Sequence, residues 1–266
     1  MQTAMAIMGD LGGSRKLFGN DRKYHQCIQC LEKSLNNKNC QLNQVEMSKY
    51  VISGGDSYQA SFYSIACISS FRILFPEFNF PGLDCIYKAV GIGTVSYFHE
   101  NSNLCNGLHY INANEALNYA KQAYKYLGFD SIRFSAGYLP INALLDQIGL
   151  VIEDQYLYKK FSQLHKKIDL YLKKLLEAIM QWLNELHDRN IGGDNNNDLL
   201  YECEIGGLKI ALNEMYDTLQ ETDNVVNKDK PPEALKRHLK LALARTKGLK
   251  ACNKLKVPKK LLPNAI

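Results

Sequence analysis

The sequence predicts an α+β chain in which a βαββαβ sheet domain, up to about residue 138, is followed by an all-α domain over 139–266. Three observations predict this. The first half alternates short apolar runs, bounded by glycine turns, with segments of helical period. The second half carries a leucine-rich pattern that recurs every three or four residues. The change from one texture to the other falls near Tyr138.

Residues 4–8 form an apolar run that stops at Gly9-Asp10 and reads as a buried strand. The following LGGSR is glycine-rich and gives way to residues 21–37, where Tyr24, Ile28, Leu31 and Leu35 share one helical face. The runs 45–52 and 58–63 flank Ser53-Gly54-Gly55-Asp56, which predicts a hairpin with Asp56 at its tip. A helix is expected over 64–75, closed by Pro76, then a strand over 84–92. Another helix is expected over 112–127, with Ala113, Leu117, Ala120, Tyr124 and Leu127 on one side. That order is the ferredoxin-like plan with one helix added.

Beyond Tyr138, apolar residues from Leu157 through Ile168, Leu175 and Trp182 to Leu186 mark one long amphipathic helix or two in line. Leu208, Leu212, Met215 and Leu219 resume the period, and a third helix is expected from Glu233 to Leu249. The second half thus reads as an antiparallel helical bundle with a basic tail. The GGDNNND stretch beginning at Gly192 reads as a solvated loop. Counted from Asp194, Leu199 stands where a calcium loop needs glycine and Ile205 where it needs glutamate.

Composition narrows the function classes. With 46% hydrophobic and 22% charged residues the chain is ordinary globular protein. Its apolar stretches are too interrupted to cross a bilayer, and the first residues lack a basic n-region, so a cytosolic protein without membrane association is expected. Eight cysteines are scattered mostly inside apolar segments, which argues against a disulfide framework. Cys27 and Cys30 form a C-x-x-C with no second pair at zinc spacing, and they read as helix residues. His99 and His109 lie near Cys105, but the segment 96–108 reads as an exposed loop, and zinc ligation is disfavoured. The net charge of +5 is uneven: from Lys230 onward eleven Lys or Arg face one acid, Glu233, leaving −5 on the remainder. Nucleic acid or an acidic partner would be drawn to that tail.

The chemistry-bearing residues lie in the first half. A triphosphate carries ~4 negative charges, and phosphoryl chemistry commonly neutralises them with Mg²⁺ held by carboxylates on neighbouring strands. Asp10 closes the first strand, and Asp56 tips the hairpin that this plan places beside it. The intervening loop, Leu11, Gly12, Gly13, Ser14 and Arg15, can turn backbone N–H groups toward phosphates at a helix N-terminus. Gly55 allows the hairpin turn beside them.

AIMGDLGGSRKL resembles the first-strand motif of class III nucleotide cyclases, and KYVISGGDSYQASF resembles their metal hairpin and that of GGDEF and CRISPR palms. From Gly9 to Leu117 the chain resembles the SatD family. Its GD-x-x-x-SR start corresponds to Gly9-Asp10 with Ser14-Arg15, and its GD-x-[FY]-Q hairpin to Gly55-Asp56 with Tyr58-Gln59. Its G-I-G strand corresponds to Gly91-Ile92-Gly93, and its later helix to Gly107, Tyr110, Ala113, Glu115, Ala116 and Leu117.

The resemblance implies a palm that binds a nucleoside triphosphate with Mg²⁺ or Mn²⁺ on Asp10 and Asp56, with Asn114 or Asn118 supplying an amide. There are departures. Ser57 stands where GGDEF-type palms carry a second acid, and Ile52 stands in the slot of the cyclase lysine. The later helix has no arginine, leaving Lys121, with Lys49, Arg15 and Arg133 as further cations. Two functions compete with a nucleotidyl transferase or cyclase that makes a nucleotide signal. One is a nucleotide-sensing regulator acting through the helical half, the other a nucleic-acid binder using the tail. The long helix from about residue 155 offers a homodimer seam.

Overall fold

The computed structural model describes residues 2–17, 19–127, 132–137, 139–191, 201–203, 206–229, 232–251 and 255–257. The chain divides into two compact units. A sheet unit takes in Ala4–Ile68 and Arg72–Ser135, and a helical unit takes in Ala136–Ile266 with Met1–Thr3 and Ser69–Phe71.

In the sheet unit the order is β1 (Thr3–Gly12), α1 (Asp21–Gln41), β2 (Met47–Ile52), β3 (Ser57–Phe62), β4 (Cys85–Tyr97), β5 (Asn106–Gly107), α2 (Leu108–Leu127) and β6 (Ile132–Ser135). The strands lie in the order β2-β3-β1-β4, with β5 and β6 both pairing with β4. Since β3 is antiparallel to both β1 and β2, those two run the same way and α1 is the crossover of a split βαβ unit. A second crossover, α2, joins β4 to the parallel strand β6. This is a mixed α+β unit.

Period-two alternation assigns the faces of the sheet. Ala6 and Met8 of β1 pack with Tyr110, Ala113, Ala116 and Leu117 of α2, so Asp10 and Gly12 belong to the α2 face. Met5, Ile7, Gly9 and Leu11 take the other face. There Tyr58 and Phe62 surround Tyr50, whose hydroxyl bonds the Leu74 carbonyl. Asn39 of α1 clamps the strand edge by accepting from the Tyr50 N–H and donating to its carbonyl. Asn20 caps α1 by accepting from the Lys23 N–H at 3.1 Å.

Several expected elements change. The helix expected over 64–75 is instead irregular chain with a single 3-10 turn, Phe71–Leu74. Four of its five buried residues, Ile65, Ile68, Phe71 and Leu74, recur every third position, a period met by i→i+3 bonds such as Ile68 N–H to the Ile65 carbonyl at 3.1 Å. With no α-helix between β3 and β4, the order departs there from βαββαβ. β1 and β4 outrun the expected strands, and α2 begins before the expected position. The segment expected as an exposed loop from 96 to 108 opens with the end of β4 and closes in β5 and the first residue of α2, with Ser102 and Gly107 buried.

The helical unit contains α3 (Leu139–Glu153), α4 (Gln155–Lys160), α5 (Ser162–Ile191), α6 (Gly206–Lys228) and α7 (Glu233–Ala251). A short antiparallel pair, β7 (Tyr201–Cys203) and β8 (Leu255–Val257), completes its described elements. α5 packs on α6, α6 on α7, α7 on α3 and α3 on α5, closing a ring of helices. Ile168, Leu172, Leu175, Leu176 and Ile179 of α5 are the buried stripe that the leucine period announced. The GGDNNND stretch, Cys252 and the end of the basic tail lie outside the described residues. No helix among the described residues is long and apolar enough to cross a membrane.

Candidate functional site

Register brings the two predicted aspartates together. Asp10 stands opposite Ser57 in the β1–β3 ladder, so Asp56 is one residue beyond the partner of Asp10. The turn that holds Asp56 is possible because Gly54 and Gly55 sit at φ +78 and +81, where side-chain-bearing residues are strained. The Ser53 N–H closes it on the Ser57 carbonyl at 2.8 Å.

The carboxylates are then held by crossed serine hydroxyls. Ser57, which follows Asp56, donates to Oδ1 of Asp10. Ser14, four residues after Asp10 and 3% exposed, donates to Oδ2 of Asp56. Each motif therefore supplies one carboxylate and the hydroxyl that orients the other. The remaining oxygen of Asp10, Oδ2, is 2.8 Å from the Lys121 ammonium of α2.

The surroundings of the two acids differ. Tyr87 of β4 lies within reach of the Asp10 charge, and its ring meets that of Tyr124 edge to face at 5.6 Å between centroids. Burial raises the Tyr87 hydroxyl above its usual range, aided by its bond with Cys85 and by the negative charge of Asp10. On α1, Tyr24 is raised by burial and then by the Asp56 charge, and the Cys27 thiol is pushed up to about 11, chiefly by burial. Cys27 is thus a buried, protonated core thiol, while Cys30 is exposed.

Of the loop residues, Gly12 is strand: its Cβ would lie 2.2 Å from the Cys85 sulfur, so the position is glycine for close packing. Gly13 turns the chain at φ +83 beside Asp84, whose carboxylate binds Lys16 at 2.8 Å. The Asp84 N–H fixes the loop by donating to the Gly12 carbonyl at 2.8 Å. Leu11 is core at 2% exposure. The expectation that this loop opens an α-helix is corrected: it opens a 3-10 turn, Ser14–Leu17, and α1 starts later behind its own Asn20 cap. Phosphate contacts here would come from cations and individual N–H groups, not from a helix dipole.

Arg15 is exposed in that turn, and Gly55 is exposed with the Tyr24 hydroxyl 3.5 Å from where its Cβ would be. Asn114, Asn118 and Lys121 share one stripe of α2, where both amides are exposed. Lys49 is engaged elsewhere, 3.8 Å from Glu100, and its N–H donates to the Glu100 carbonyl. Arg133 lies on β6, paired with Ala89 of β4 and separated from β1 by that strand. His109 does not join Cys105 in a metal site: its ring nitrogens bond Ser61 at 3.0 Å and the Thr94 carbonyl at 3.3 Å.

Ser57 and Tyr87 are the site residues that motif reading passed over. A serine directly after the hairpin aspartate was the available signal for the first. Tyr87 had none, because strand pairing alone brings it there.

As ligands for Mg²⁺ the residues are suitable. They are hard oxygen donors, two carboxylates with two hydroxyls behind them, and Mg²⁺ commonly takes one or two carboxylates together with water and substrate phosphates. No third Asp, Glu, His or Cys joins them among the described residues. Comparison with protein-family models, with characterised proteins and with solved structures returned no match.

Proposed function

We propose that the chain binds a nucleoside triphosphate together with Mg²⁺ at Asp10 and Asp56 and acts as a nucleotidyl transferase or cyclase. The observation that carries this reading is the crossed pair, in which two carboxylates at adjoining strand ends are oriented by serines from each other's motif. The split unit formed by β1, α1 and β2 around β3 is also what a ferredoxin-like palm uses, and it supports the likeness of the local sequences to cyclase palms and to the SatD family.

Mg²⁺ held there would neutralise the triphosphate and polarise its α-phosphorus. The chain's own contribution is positioning. Asp10 and Asp56 are already oriented by the Ser57 and Ser14 hydroxyls, and Lys121, Arg15 and the exposed amides of Asn114 and Asn118 would border the phosphates. In the reaction a hydroxyl oxygen bonds the α-phosphorus, its proton passes to solvent, and the bond to the β-phosphate breaks to release pyrophosphate.

A nucleotide-responsive regulator without turnover is the second reading, favoured by Ser57. Its hydroxyl is committed to Asp10 in the position where related palms hold a second acid.

Incubation with labelled nucleoside triphosphates and Mg²⁺ or Mn²⁺ tests the first reading. Pyrophosphate release that disappears in Asp56→Ala is expected, and no release from the wild type overturns the enzyme. The regulator predicts thermal stabilisation by nucleotide and Mg²⁺ without turnover, about 2.7 kcal/mol at a ligand concentration a hundred times its Kd.

A further inference from the structure

We infer that Lys121 couples cation to triphosphate at this site, so that the chain takes up a metal–triphosphate complex and discriminates against the bare cation; the inference rests on the nucleotide reading above. Both oxygens of Asp10 are engaged, Oδ1 by the Ser57 hydroxyl and Oδ2 by the Lys121 ammonium at 2.8 Å. Ser57 is a neutral donor on a fixed hairpin. Lys121 is different: a full positive charge on a flexible stem, occupying the oxygen that a cation would need.

The anchoring of α2 fixes where that charge can go. Ala116, Leu117 and Ala120 hold the helix on the sheet, so Lys121 cannot withdraw by moving its backbone. Its side chain is nevertheless 39% exposed, against 15% for Asp10, which lets the ammonium swing outward while the carboxylate stays put. The exposed stripe of Asn114 and Asn118 continues on its own helix.

A divalent cation arriving alone must displace the ammonium and then share the neighbourhood with it, like charge against like. A triphosphate arriving with the cation offers the displaced ammonium new anionic oxygens, and such charge-assisted bonds are among the stronger ones. Lys121 is therefore a positioning residue that favours ligands carrying both a metal and several phosphates over either a free cation or a nucleoside.

The test is Mn²⁺ binding, followed by electron paramagnetic resonance and calorimetry, on the full chain and its Lys121→Met, Lys121→Arg and Asp10→Asn variants. Each is measured with Mn²⁺ alone and with the Mn²⁺ complex of α,β-methylene ATP or GTP. The ammonium at 2.8 Å occupies the Asp10 oxygen that a cation needs, and hydrogen bonds to charged groups are among the stronger ones. Lys121→Met is therefore expected to bind free Mn²⁺ about tenfold tighter than wild type, and the Mn²⁺–triphosphate complex about tenfold weaker. Lys121→Arg should keep the wild-type order. Free Mn²⁺ affinity unchanged, weakened or undetectable in Lys121→Met overturns the inference. Binding of the Mn²⁺–triphosphate complex that is undetectable in wild type, or unchanged in Asp10→Asn, overturns the nucleotide reading itself, and the two failures are thereby told apart.

Discussion

In the sheet unit α2 lies against β4 over glycines and alanines, whereas in the helical unit the packed faces carry leucine, isoleucine and methionine. A Cβ on Gly91 would come within 2.1 Å of the Ala113 nitrogen and 2.2 Å of the His109 carbonyl oxygen, both backbone atoms of α2. On Gly93 it would lie 2.7 Å from the His109 nitrogen. The helical unit fills its centre instead with Ile168, Leu172, Leu175, Met215, Leu219, Leu235 and Leu239, all buried.

The buried hydroxyls differ in a related way. In the helical unit Thr218, Thr222 and Thr246 are buried, and each donates to the carbonyl four residues earlier in its own helix. In the sheet unit the buried hydroxyls and ring nitrogens reach far along the chain, Ser61 to His109 and Ser48 to the His99 carbonyl. The helical unit also has longer bonds, from buried His165 to the Ile152 carbonyl and from Ser70 to the buried Asp169 carboxylate, so the local pattern belongs to its threonines. At the candidate site the bonds that hold the carboxylates are likewise long-range, Ser14 to Asp56 and Ser57 to Asp10.

The contrast can be broken by substitutions of opposite volume. Leu172→Ala should cost about 2–5 kcal/mol by leaving a cavity in the helical unit, read from urea denaturation. Gly91→Ala should cost about 1–3 kcal/mol by overpacking, although it adds a single methyl group and improves intrinsic propensity. A neutral or stabilising Gly91→Ala would show that α2 is not closely seated.

Acid sharpens the comparison. Burial holds His109 neutral and pushes its pKa from 6.5 down to about 4, against a smaller opposing pull from the Thr94 carbonyl. Below pH 6.5 the unfolded chain binds a proton that the folded chain refuses. Stability should therefore be level above pH 6.5, fall as the pH drops toward about 4, and level off below it. The loss from this residue is on the order of 3 kcal/mol. Stability profiles against pH for wild type and His109→Gln should differ by that slope, and parallel profiles would assign the acid sensitivity to other groups.

The smallest effect is expected in the helical unit. Thr222→Val keeps the shape and removes a hydroxyl whose acceptor carbonyl belongs to its own helix, so stability should change by no more than about 0.5 kcal/mol. A cost above about 1.5 kcal/mol would mean that this hydroxyl serves a partner beyond the Thr218 carbonyl.

Much of the frame around the candidate site was legible in the residues. Gly54-Gly55 between two extended runs announced the hairpin, and the residue that ends the glycine turn, Asp56, was placed at its tip. The α5 stripe was legible because a period near 3.6 sustained through Leu164, Ile168, Leu172, Leu175 and Ile179 has one economical solution. The segment 64–75 misled for a related reason: its apolar residues recur every third position, close enough to a helix to read as one, and its i→i+3 bonding appears only in the folded chain. Of the residues that the candidate site brings together, Asp10, Asp56 and Ser14 had been named from the sequence, and Lys121 had been named as a cation. That Ser57 would orient Asp10, and that Tyr87 would stand beside it, could not be read.

By itself the sequence determined the local units: which runs extend, where glycine must turn them, which faces are apolar, and that the first half is sheet-rich and the second helical. Propensity, periodicity and turn chemistry act over a few residues and leave their mark there. Only the tertiary structure decided that Ser14 serves Asp56, that Ser57 serves Asp10 and that Lys121 reaches Asp10. Those pairings join residues distant in the chain, and they are set by strand register and by the close approach of α2 over Gly91, which no local pattern encodes.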